Sequence, residues 1–118
     1  MANQTNVTTE TGKRPRRPLT REIVRGLIGK QVELRVETAK AAGVPEPEKD
    51  GLRRATMFVV GAILSEGAPA KKADALMAVV LSFLIETFEA RGIEKDEATA
   101  KAIRRLASVD PRAKHATA

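Results

Sequence analysis

The 118-residue chain contains no cysteine, tryptophan or tyrosine, and three phenylalanines hold its aromatic content to 3%. Without cysteine there are no disulfides, no thiol nucleophile and no thiolate-ligated metal centre. That absence suits a reducing, cytoplasmic setting. The single histidine, His115, stands near the C-terminal end with no fixed neighbour to orient it as a base or a metal ligand. No HExxH, Walker glycine-lysine loop, GxGxxG or EF-hand spacing occurs. Glu86 and Glu89 can share a helical face, but no histidine or second carboxylate helix accompanies them to build a metal site. No enzymatic activity, metal or cofactor is therefore expected. The first residues are polar and lack an apolar h-region, so no secretion signal is expected either.

Long apolar runs are scarce as well. The one that exists covers residues 75–81 and resumes after Ser82 with Phe83, Leu84 and Ile85. Ala73, Leu76, Met77, Val80, Leu81, Leu84, Ile85 and Phe88 recur three and four apart, which is a helical period. Pro69 suits the start of such a helix and Gly92 its end. The apolar stretch is about half of the roughly 20 residues a bilayer crossing needs, and Lys71, Lys72, Asp74, Glu86 and Glu89 close it off. It is read as the central helix of a folded core, with no membrane role. A core so poor in aromatics is thin, and a thin core is commonly completed by a second chain, so a homodimer is expected.

What the chain has in excess is positive charge, +6 overall with a pI near 10.1. The excess is segregated. Residues 1–21 hold Lys13, Arg14, Arg16, Arg17 and Arg21 against Glu10 alone, whereas the remaining chain is nearly balanced. Residues 1–18 have no apolar periodicity and end in Gly12-Lys13-Arg14-Pro15-Arg16-Arg17-Pro18, so they read as a disordered basic N-terminal arm held extended by its prolines. An extended basic strip follows a phosphate backbone or enters a minor groove. The arm resembles an AT-hook, although the glycine of that motif is missing from Pro15-Arg16-Arg17-Pro18.

Behind the arm, an all-α, four-helix bundle-like domain is expected over residues 19–110, with a flexible C-terminal tail at 111–118. Its helices are placed at about 20–42, 50–65, 70–91 and 96–108. Thr20 is the first N-cap, Ile23, Val24, Leu27, Ile28, Val32 and Val36 form the first inner stripe, and Gly43 is the stop. Pro45-Glu46-Pro47-Glu48 reads as a rigid linker, and Asp50 as the cap of the second helix. That helix carries Leu52, Ala55, Met57, Phe58, Val59, Ala62, Ile63 and Leu64, with Gly61 at a close helix crossing. Arg53 and Arg54 then fall in its first turn, against the helix dipole. The last helix presents Ala98, Ala102, Ile103, Leu106 and Ala107 inward. Its other face carries Lys101, Arg104 and Arg105, continued by Arg112 and Lys114.

Three further patterns touch the first half. Gly26-Leu27-Ile28-Gly29 is similar to the loop of a KH domain, but apolar residues fill its two central positions and the flanking strands are missing. Ala39, Ala42, Gly43 and Val44 look like the turn of a helix-turn-helix, but Lys49 stands where the next helix needs an apolar residue. Residues 32–37 alternate as a strand does, which would suit a ribbon-helix-helix dimer behind its basic arm.

Taken together, these features point to a small non-enzymatic, DNA-associated regulator or accessory protein. Its expected nucleic-acid contacts are Lys13, Arg14, Arg16, Arg17, Arg21, Lys101, Arg104 and Arg105. The alternative is a helical protein–protein interaction module, an adaptor, inhibitor or chaperone that does not bind nucleic acid.

Overall fold

The computed structural model describes residues 18–112, and these form four helices without a strand among them: α1 Arg21–Ala41, α2 Pro47–Ser65, α3 Ala70–Ala90 and α4 Lys95–Val109. The basic arm, and the part of the C-terminal tail from residue 113 on, lie outside the described residues. Among the described residues no helix is long and apolar enough to cross a membrane.

Thr20 starts α1 as its composition suggests: its extended backbone and its Oγ1, accepting the Ile23 N–H at 3.2 Å, satisfy one of the helix's orphan donors. Replacing Thr20 with alanine is expected to cost about 1 kcal/mol, a fall in Tm of roughly 4–8 °C for a domain of this size. A thermal melt checks it. At the other end Gly43 takes a left-handed φ of 73°, and the Val44 N–H reaches back to the Ala39 carbonyl at 3.0 Å. Residues 32–37 are helical, so the ribbon-helix-helix strand is corrected. In a strand Val32, Leu34 and Val36 would share a face. Here Val32 and Val36 turn towards the core, and Leu34 stays 56% exposed.

The second helix begins three residues before the expected boundary. Pro47 occupies its first turn, where a missing N–H costs nothing, and Glu46 makes the corner in a left-handed conformation with φ 52°. Much of the expected rigid linker is thus the start of a helix. Asp50 does not cap it. Its N–H donates to the Glu46 carbonyl at 3.1 Å, and its carboxylate accepts from Arg54 Nε at 3.0 Å. Arg53 and Arg54 therefore lie in the second turn, where their conflict with the dipole is weaker.

Helices α1 and α2 form an antiparallel hairpin. At one end the Leu19 N–H donates to Glu66 Oε2 at 2.8 Å, and towards the other Gly51 lies against Val36. A Cβ at position 51 would sit 2.7 Å from the Val36 backbone nitrogen and 2.8 Å from its Cα, so only glycine permits this approach. Gly61, expected at a close crossing, is exposed with open space above it.

Across the hairpin lies α3, burying Ala73, Leu76, Met77, Val80, Leu84 and Phe88 against Val24, Ile28, Leu52, Val59, Val60 and Ile63. Its inner stripe is the one the periodicity predicts, with Leu81 and Ile85 half-buried beside it. Helix α4 runs back along α3. Phe88 meets Lys101 near one end, and Asp74 meets Arg112 near the other. Ala98 and Ala102 are fully buried in this contact, small enough to bring α4 close. Ile103, expected inward, is 52% exposed, and so are Met57 and Phe58 of α2 to 46% and 44%. Their places in the α2 core are taken by Thr56, whose hydroxyl donates to the Leu52 carbonyl at 2.7 Å, and by Val60.

Candidate nucleic-acid interface

The first half of α4 and the C-terminal end of α3 meet the first turn of α2 around a cleft of about 520 Å³. Phe88 supplies its apolar wall. The Lys101 ammonium stands 5.9 Å from that ring's centre and the Arg91 guanidinium 6.0 Å, a distance at which the ring's negative face attracts a cation. Arg105 and Lys49 line the same cleft, and a smaller hollow of about 230 Å³ continues it past Arg104 and Ser108. None of Lys49, Arg91, Lys101, Arg104 and Arg105 is ion-paired among the described residues.

Two features shape the field in the cleft. Among the described residues no side chain caps the first turn of α2, so the positive end of its dipole adds to the cations. Glu46 and Glu48 line the cleft on the α2 side, which leaves the α4 side as the positive one. An anion is therefore drawn towards Lys101, Arg104 and Arg105.

The expected contact residues separate into three groups. Lys101, Arg104 and Arg105 do come together, one turn apart on α4. Arg21 does not join them. It lies on the first turn of α1 beside a groove formed with Glu22, Arg25, Gly26, Val79 and Ser82, none of which lines the cleft. Lys13, Arg14, Arg16 and Arg17 lie outside the described residues.

Arg112 was expected to extend the patch, and it is engaged elsewhere. Its N–H and guanidinium donate to the Asp110 carboxylate, the former at 2.9 Å, and Nη1 reaches Asp74 at 3.1 Å. The hydrogen bond to Asp110, with its charge, and the same contacts from Asp74 outweigh the partial burial and raise the guanidinium above its ordinary value. Lys49 and Arg91 enter the patch instead. No local pattern marks them, because they lie far apart in sequence and only the packing of α2 against the end of α3 brings them together. Among the described residues no group of acidic and histidine side chains is arranged to hold a metal ion.

No family model matches the chain, and neither does any curated protein or solved structure. Its functional reading therefore stands on this geometry and on the sequence.

Proposed function

We propose that this protein is a non-enzymatic, DNA-associated regulator or accessory factor of the cytoplasm, binding the phosphate backbone as a homodimer. The observation that carries the reading is the cluster of cations on α4, Lys101, Arg104 and Arg105, without ion pairs among the described residues, where Lys101 and Arg105 share a cleft with Lys49 and Arg91 and Arg104 lines the hollow that continues it. Cations that contact phosphates hold a protein on the duplex without reading bases, so the binding is expected to be independent of sequence. The arm adds Lys13, Arg14, Arg16 and Arg17, which lie within five residues of Pro18 and so within about 18 Å of it, while Leu19 sits against Glu66 at the end of α2 away from the cleft. Arm and cleft can thus engage separate phosphates of one duplex.

Replacing Lys101, Arg104 and Arg105 with alanine tests the reading. Affinity for duplex DNA, followed by fluorescence anisotropy at low salt, is expected to fall by at least about tenfold for every sequence tried. Unchanged affinity in a folded triple variant would remove α4 from the interface.

A second reading rests on a different surface. Leu34, Met57 and Phe58 are large, apolar and roughly half exposed on α1 and α2, and the Arg35 guanidinium covers the Phe58 ring at 5.5 Å. Such a surface suits a protein partner. A complex that survives nuclease treatment, from a protein that ignores DNA, favours this reading.

A further inference from the structure

Helix α3 has one side that no other helix covers among the described residues. Between Asp74 and Glu86 it carries no charged residue at all, yet Ala78 and Ser82 are exposed in the middle of that stretch. On the same line along the helix lie Lys71 towards its start and Glu89 towards its end, both exposed. Five turns of a helix take about 18 residues, so Lys71 and Glu89 stand one above the other, with Ala78 and Ser82 between them close to the same line. Ala75, Val79 and Ile85 border the line and are half-buried.

The line is self-complementary. In a two-fold contact each residue i that meets j is matched by a j that meets i. Two copies of α3 crossing antiparallel, centred level with Val80, bring Lys71 to Glu89 of the second copy and Ala78 to its Ser82, and each contact occurs twice. A parallel pair would set Lys71 against Lys71 and Glu89 against Glu89. Neither Lys71 nor Glu89 is ion-paired among the described residues. Asp74 and Glu86 also come level across the contact with like charge. Each already has its own cation, Arg112 at 3.1 Å for Asp74 and Arg25 for Glu86, which lowers their mutual repulsion. The small side chains at the centre let the two helix axes approach to the short end of the usual 8–10 Å spacing, roughly.

We infer that the outer face of α3 is the docking surface for a second copy of this chain, in antiparallel two-fold contact. This rests on the homodimeric part of the function proposed above and is independent of DNA binding. The groove of about 510 Å³ beside the face, between Arg21, Gly26, Val79 and Ser82, gives the second copy further surface to occupy. That matters because a stable interface needs about 800 Å² per partner, more than one helix face alone supplies.

Sedimentation equilibrium on the full chain tests the inference. The wild-type protein is expected at about 25 kDa, twice its 12.7 kDa chain mass. Ala78→Arg, at an exposed position, is expected to sediment as a folded monomer. Lys71→Glu should raise the dimer dissociation constant roughly tenfold, because both symmetric pairs become repulsive, and adding Glu89→Lys should restore it. A wild-type dimer that is indifferent to Ala78→Arg and to Lys71→Glu would overturn this interface and leave the homodimer standing elsewhere. A wild-type monomer at high micromolar concentration would overturn both.

Discussion

Gly51→Ala is expected to lower the melting temperature by roughly 10 °C, whereas Gly61→Ala should raise it by a few degrees. The two substitutions are chemically identical and both fall inside α2, where alanine is worth about 1 kcal/mol more than glycine as a helix former. Their surroundings set the sign. At position 61 the new methyl meets open space, so the propensity gain and the reduced freedom of the unfolded chain act alone. At position 51 it would meet backbone atoms of Val36 at 2.7 and 2.8 Å, and backbone cannot rotate aside as a side chain can. The hairpin must then open along its length. Overpacking of this kind costs typically about 1–3 kcal/mol, and immovable neighbours put it at the top of that range. Matched thermal melts of the two variants check the pair. Equal effects would mean that α1 and α2 do not cross at Gly51.

The second large effect concerns the arm. Replacing Lys13, Arg14, Arg16 and Arg17 together with alanine removes four of the nine cationic contacts proposed for each chain and should weaken duplex binding by about a hundredfold or more at low salt. The folded domain carries little of the net charge, so its melting temperature is expected to stay within a degree or two. Anisotropy titrations and thermal melts on the same preparations separate the two effects. A variant with wild-type affinity would transfer the binding role wholly to the helical domain.

Much of the fold was legible in the sequence because helical periodicity is a local signal. The spacing of Leu76, Val80, Leu84 and Phe88, the cap at Thr20 and the left-handed glycines Gly43 and Gly92 are all readable within a few residues of one another. What failed was whatever depends on a partner distant in the chain. Gly51 and Gly61 are indistinguishable until Val36 is known to lie beside only one of them. Glu46 turns left-handed ahead of Pro47 and starts α2 early, although a residue before proline ordinarily prefers extended backbone. Alternation at Val32, Leu34 and Val36 left a strand open beside the expected helix, and the burial of Ala39 one turn later decides for the helix.

The site divides the same way. Lys101, Arg104 and Arg105 are visible as helix neighbours, while Lys49 and Arg91 are not, since they reach the cleft from α2 and from the residue after α3. Arg112 shows the reverse. It continues the basic pattern in sequence but is drawn off by Asp110 and Asp74. Counting charges along the chain cannot tell a paired cation from an unpaired one.

Phosphate binding through several separated cations at once shows itself in the salt dependence of the full chain's affinity for duplex DNA. Nine contacts per chain, four from the arm and five at the cleft, predict a plot of log affinity against log salt with a slope of about −8 or steeper, the same for unrelated sequences, and a loss of roughly fifty-thousand-fold or more between 50 and 200 mM. A flat plot, or no measurable binding at the lower salt, would contradict the account.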